Sequence, residues 1–152
     1  MHVVLHQPEI HYNAGSVGRT CVALGAKLWL VRPLGFRLDD KHLRRAGMDY
    51  WRHLDWEAVD DWSDLCSRLD ERRMWFFSKK AEQAYTEVRF EPEPILVFGS
   101  ESEGLPYGLL GARRNRCLRI PIHANARSLN LSVSVAVAAF EARRQLQSRI
   151  AT

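Results

Sequence analysis

A chain of 152 residues and 17.5 kDa fits one compact domain, spanning residues 1–152, at roughly 100–200 residues per domain. With 46% hydrophobic and 26% charged residues, its composition is that of an ordinary globular protein and excludes disordered, collagen-like and low-complexity chains. The net charge of +4 is unevenly spread: from Gly111 to Thr152 eight arginines face one acid, Glu141, whereas residues 1–110 hold fourteen cations and seventeen acids. An arginine-rich, lysine-free end with a pI of about 9.2 suits either a polyanionic partner such as RNA or a solvated basic helix end.

No run approaches the roughly 18 apolar residues of a membrane span, and Met1, His2 and Val3 lead directly into fold-like sequence without the pattern of a signal peptide. Three widely separated cysteines, Cys21, Cys66 and Cys117, encode neither a disulfide framework nor a zinc site. The expectation is a cytoplasmic protein with no membrane association and no metal.

In chain order, 2–7 reads as a strand, and Asn13 is expected to cap a helix from Ala14 to Leu24 that stops at Gly25. A second strand is predicted over 27–32. After the RPLGF loop, Asp39 or Asp40 can cap a short helix through KHLRRAG, and DYWRHLDW reads as irregular or extended. Apolar residues at 59, 62, 65, 66 and 69 predict a helix over 59–70. A third strand over 72–80, a connection to Pro94 and a fully apolar strand over 95–100 follow. The remainder reads as a short helix after Pro106, a strand over 117–122, the polar loop HANARS, and one helix from Leu129 to about Ser148 with Ser128 as its N-cap.

Strands alternating with helices predict an α/β fold on a mainly parallel sheet with helices on both faces, and ligands of such sheets bind at the carboxyl ends of strands. Three segments leaving strand ends are rich in glycine, serine, asparagine and charge: HYNAGSVGRT, GSESEGLP and HANARSLNLS. The first is a helix start suited to an anion, though neither GxGxxG nor GxxxxGK[ST] is present. In the second, Glu101 is the acid closer to the strand end, placed to hold a ligand hydroxyl or amine or an arginine across the site. In the third, Asn130 is a poor helix former inside an expected first turn. Small residues at 132, 134, 136, 138, 139 and 142 serve either core packing or a subunit interface.

The ordered set NAGSVGRT, LVFGSESEGLP and IPIHANARSLNLSVSVAVAAFEARRQ resembles the three motifs of the SpoU branch of the SPOUT RNA methyltransferases, and the likeness spans nearly the whole chain. Its short length and the stretch LGFRLDDKHLRRAGMDYW are similar to the TrmL (YibK) group, which methylates the ribose 2′-hydroxyl of the wobble nucleotide of certain leucine tRNAs. The resemblance implies a homodimer, a C-terminal trefoil knot, S-adenosylmethionine as methyl donor and tRNA as partner. Carried over by position, it assigns cofactor contacts to Phe77, Gly99, Glu101, Ile120, Ser128 and Leu129, and the reaction site to Asn13, Arg19, Glu101 and Asn130. Glu103 and Phe140 depart from the group, which has arginine and tyrosine at those places.

Methyl transfer to a ribose hydroxyl needs an in-line approach, loss of a proton and stabilisation of a developing alkoxide. A guanidinium, with a pKa of about 12.5–13.8, suits Arg19 better to clamping phosphate and alkoxide than to acting as the base. Two other classes compete. A serine hydrolase would use Ser102 and His123 but lacks GxSxG, and a non-catalytic RNA-binding module leaves Asn13, Glu101 and Asn130 without a purpose.

Overall fold

The structure, a computed structural model, describes residues 1–38 and 49–148. Seven strands form one sheet: β1 (His2–His6), β2 (Lys27–Val31), β3 (Trp56–Val59), β4 (Met74–Phe77), β5 (Gln83–Ala84), β6 (Ile95–Phe98) and β7 (Cys117–Arg119). Their order is β3-β2-β1-β6-β4-β7-β5, and every pairing is parallel, with His2 opposite both Lys27 and Ile95. The expected α/β fold on a parallel sheet is therefore what the chain adopts.

The central strands are near-continuous apolar runs because both faces of the sheet are covered. Alternate residues point to opposite sides. Val3, Leu5, Leu28, Leu30, Leu96 and Phe98 meet helices α1 (His11–Leu24) and α4 (Leu131–Ser148) through Val17, Cys21, Leu24, Val135, Ala138, Ala139 and Ala142. On the other face Val4, Trp29, Val31, Phe76, Ile95 and Val97 pack with Leu65 of α2 (Trp62–Arg68). Ala138, Ala139 and Ala142 are fully buried within the chain, so these three small residues serve the contact of α4 with the core. Burial likewise pushes the Cys21 thiol up to about 12, which suppresses its thiolate.

Several boundaries differ from the sequence reading. α1 starts at His11 with Ile10 as N-cap, and Asn13 lies inside the helix. Val59 belongs to β3, opposite Val31, and the helix expected over 59–70 begins only at Trp62, where Asp61 caps it by accepting the Asp64 N–H at 2.8 Å. DYWRHLDW divides into a 3₁₀ turn, Asp49–His53, and the start of β3. The connection before Pro94 contains β5, which pairs Gln83 with Leu118 and Ala84 with Arg119; two residues are too few for an alternating pattern. Strands expected over 72–80, 95–100 and 117–122 are shorter: their last residues turn into loops, and Arg72 and Arg73 belong to a 3₁₀ turn, Glu71–Arg73, that precedes β4. The short helix after Pro106 is α3 (Tyr107–Gly111). α4 starts at Leu131, and Asn130, in place of Ser128, caps it, its Oδ1 accepting from the Ser132 N–H at 2.9 Å and Oγ at 2.6 Å. The helix expected through KHLRRAG lies outside the described residues. No helix among the described residues is long and apolar enough to cross a membrane.

Candidate active site

Because all strands run parallel, the segments that follow β1, β4, β6 and β7 emerge on one edge of the sheet, where they enclose an open cleft of about 1110 Å³. Its floor includes Phe77 and Phe98, the last residues of β4 and β6, stacked with ring centroids 4.6 Å apart and planes at 14°. Ile120 and Leu129 add apolar lining, while Gly99, Ser128, Asn13, Asn130 and Glu101 supply the polar part. Eight of the nine sequence-derived site residues thus converge on one cavity. Arg19 does not line it; it is exposed on α1.

The turn after β6 explains the two glycines of GSESEGLP. Gly104 N–H donates to Ser100 O at 3.0 Å, and Gly104 takes φ +73°, a left-handed conformation that side chains disfavour. A Cβ on Gly99 would collide with the backbone of Gly104 and Leu105. The turn is consequently folded back on itself, and Glu101 at its tip reaches toward α1.

Glu101 binds neither an arginine nor open solvent alone. Its Oε2 accepts the Glu9 N–H at 2.7 Å, and its Oε1 accepts the Ile10 N–H at 3.2 Å and Asn13 Nδ2 at 3.0 Å. The carboxylate thereby satisfies main-chain donors at the start of α1, where Ile10 offers no side-chain cap. Asn13, 8% exposed, passes the connection on, because its Oδ1 accepts from Asn130 Nδ2 at 3.0 Å. One hydrogen-bonded chain, Glu101–Asn13–Asn130, therefore ties the three segments together across sequence separations of 88 and 117 residues.

Some participants had no sequence signal. Glu9, in a plain Gln-Pro-Glu stretch, accepts from both the N–H and the Oγ of Ser102. This gives Ser102 a carboxylate partner, whereas His123 Nδ1 accepts from the Asn125 N–H, an arrangement without a serine–histidine couple. His6 lines the cleft almost fully buried, edge-on to Trp62 at 5.9 Å, and burial lowers its pKa so that it stays neutral. Lys79 and Lys80 are exposed on the rim, the former donating to Arg127 O at 3.4 Å.

The basic end is less free than its count suggests. Arg113 pairs with Glu71 and Arg144 with Glu141, Arg143 donates to Leu24 O at 3.0 Å at the end of α1, and Arg116 lies over the Trp75 ring at 4.7 Å. Arg114, Arg119 and Arg127 are exposed.

Comparison with known proteins agrees with this arrangement. The model of the SpoU rRNA Methylase family matches residues 1–140. A tRNA (cytidine(34)-2′-O)-methyltransferase of Methylovorus glucosotrophus is 40% identical over 144 residues, covering 94% of each chain. A solved structure concerned with the 2-OH methylation of C/U34 on tRNA superposes with a TM-score of 0.90 at 48% identity, covering 97% of this chain and 96% of the other. An AdoMet-bound rRNA methyltransferase from Sinorhizobium meliloti gives 0.83 at 26% identity, covering 95% of this chain and 56% of that one. With the motifs gathered at one strand edge and the match running through almost the full length, the chain belongs to the SpoU rRNA methylase family.

Proposed function

We propose that this protein transfers a methyl group from S-adenosylmethionine to the ribose 2′-hydroxyl of nucleotide 34 of tRNA, with leucine tRNAs as the substrates. The observation that carries the reading is the Glu101–Asn13–Asn130 chain, which unites the three family motifs at one cleft. The wobble position is taken from the named activity of full-length relatives.

The cleft suits the donor chemically. Phe77, Ile120 and Leu129 offer apolar surface to a purine, and Gly99 and Ser128 offer backbone and hydroxyl groups to its polar parts. When bound, S-adenosylmethionine supplies an electrophilic methyl group on a sulfonium. The chain's own residues then orient the acceptor: Asn13, held by Glu101 and Asn130, and Asn130, held by Asn13 and Ser132, are fixed polar groups that need no reorganisation. Lys79 and Lys80 on the rim, and exposed Arg127, whose carbonyl accepts from Lys79, suit RNA phosphates.

We further propose a homodimer built on α1 and α4. These helices pack together and leave Tyr12, Val133 and Phe140 exposed at 60%, 46% and 52%. Arg19 is exposed on α1 and outside its own chain's cleft, so its proposed role, a clamp on phosphate and developing alkoxide, is assigned to the cleft of the second copy. A deep C-terminal knot and a cytoplasmic location complete the reading.

The test is incubation of purified protein with labelled S-adenosylmethionine and total tRNA lacking the modification, followed by mapping of the labelled nucleotide. Label at the 2′-oxygen of nucleotide 34 is expected. Label elsewhere overturns the position, and absence of label overturns the activity.

A further inference from the structure

The loop between β1 and α1 and the turn after β6 hold each other by reciprocal contacts. Glu9 gives its main-chain N–H to Glu101 at 2.7 Å. Its side chain returns to the neighbouring residue, Oε2 accepting the Ser102 N–H at 3.0 Å and Oε1 accepting Ser102 Oγ at 2.6 Å. Glu9 and Ser102 are both exposed, so water competes for each bond and fixing the glutamate costs rotamer freedom. What the contacts do achieve is geometric. They fix the peptide that follows Glu101 and so fix where its carboxylate meets Ile10 and Asn13.

We propose that Glu9 is a positioning residue for methyl transfer, acting through Ser102 to hold Glu101, and through Glu101 the Asn13–Asn130 pair, in the reactive arrangement. The inference rests on the methyltransferase reading. It assigns Glu9 the role of a hydrogen-bond acceptor, with no part for its charge, and this makes a sharp distinction between two variants. Glu9→Ala removes both acceptors. Glu9→Gln keeps an amide oxygen for the Ser102 N–H, and its NH₂ can donate to Ser102 Oγ, because a hydroxyl accepts as readily as it donates.

Single-turnover methylation and calorimetric S-adenosylmethionine binding are measured for Glu9→Ala, Glu9→Gln, Ser102→Ala and the Glu9→Ala/Ser102→Ala double variant. The expected result is a rate lowered about tenfold by Glu9→Ala, with cofactor affinity within about twofold of wild type, recovery to within about threefold in Glu9→Gln, and a double variant no slower than the slower single. A glutamine variant as slow as the alanine variant, additive single effects, or an alanine variant as fast as wild type would overturn the proposal. Amide exchange by NMR separates this from the activity itself. The Ser102 and Ile10 amides should exchange faster in Glu9→Ala than in wild type even where no tRNA is methylated, and unchanged exchange refutes the clasp.

Discussion

Carboxylates at the β3 edge of the sheet and at the cleft are held by different chemistry. At the edge, Glu57 receives Arg68 and Lys27, Asp64 receives Arg68 Nε at 2.9 Å, and Asp60 receives Arg32 at 3.2 Å. At the cleft, Glu101 receives three hydrogen bonds and Glu9 two, all from main-chain N–H groups, an asparagine amide or a serine hydroxyl. A cation neutralises the acid it holds. Neutral donors leave the charge in place and demand defined directions. The edge network thus settles a surface, whereas the cleft network sets the position of a site.

The largest effect expected is on chemistry. Arg19→Ala should lower single-turnover methylation by roughly 10²–10³, the usual cost of one lost oxyanion donor, with cofactor affinity unchanged by calorimetry. Arg19→Lys should recover little; recovery at alkaline pH would favour Arg19 as base. Mixing Arg19→Ala chains with chains disabled in the cleft by Asn130→Ala should restore activity, since the heterodimer then holds one intact cleft facing one intact arginine.

Next is a matched pair across the two regions. Glu101→Gln places an amide NH₂ among the donors of Glu9, Ile10 and Asn13 and should slow methylation by roughly 10²-fold, the scale of a small misplacement. Glu57→Gln should leave the rate alone. Equal effects would erase the distinction drawn here.

Gly99→Ala sets a methyl group against the Gly104 backbone and should cost about 1–3 kcal/mol in denaturant unfolding, with loss of cofactor binding. A tolerated alanine would show that the turn can open.

Two histidines on β1, one at each end of the strand, titrate below the ordinary value. His2 accepts from Trp29 Nε1 at 3.1 Å; burial lowers its pKa first, then the Met1 amino group, with Lys27 and Arg73 adding to this and Glu93 opposing it. His6, in the cleft, is lowered by burial. The unfolded chain therefore takes up these protons first, near pH 6.5. The stability contributed by these two histidines should be flat above that pH and fall as the pH drops below it toward the folded-state values, as thermal melts at pH 7.5 and 5.5 would record. The smallest change is expected for Arg68→Ala, with little shift of the denaturant unfolding midpoint and no loss of activity, because Arg68 is itself exposed and water screens its pairs.

The sequence by itself determined the parallel α/β core and the identity of the site segments. Apolar runs such as ILVF and HVVL require cover on both faces, and three polar segments leaving strand ends single out Asn13, Glu101 and Asn130, while Phe77, Gly99, Ile120, Ser128 and Leu129 follow only from the resemblance to the family motifs; all eight line the cleft. Tertiary structure alone decided what those residues touch. Asn13 looks like an N-cap by local rules, yet Glu101 supplies the donors' partner from 88 residues away and frees Asn13 to meet Asn130. Ser128 looks like the cap of α4, yet Asn130 occupies that place. Glu9 carries no local signal, since its partner Ser102 is 93 residues distant. Arg19 and the basic end show the same limit, as charge counts do not say which arginines are already bound to Glu71, Glu141 or a helix end. Periodicity and propensity act over a few residues, and they fix elements; hydrogen bonds between loops are settled only when the sheet brings strand ends together, and they fix the site.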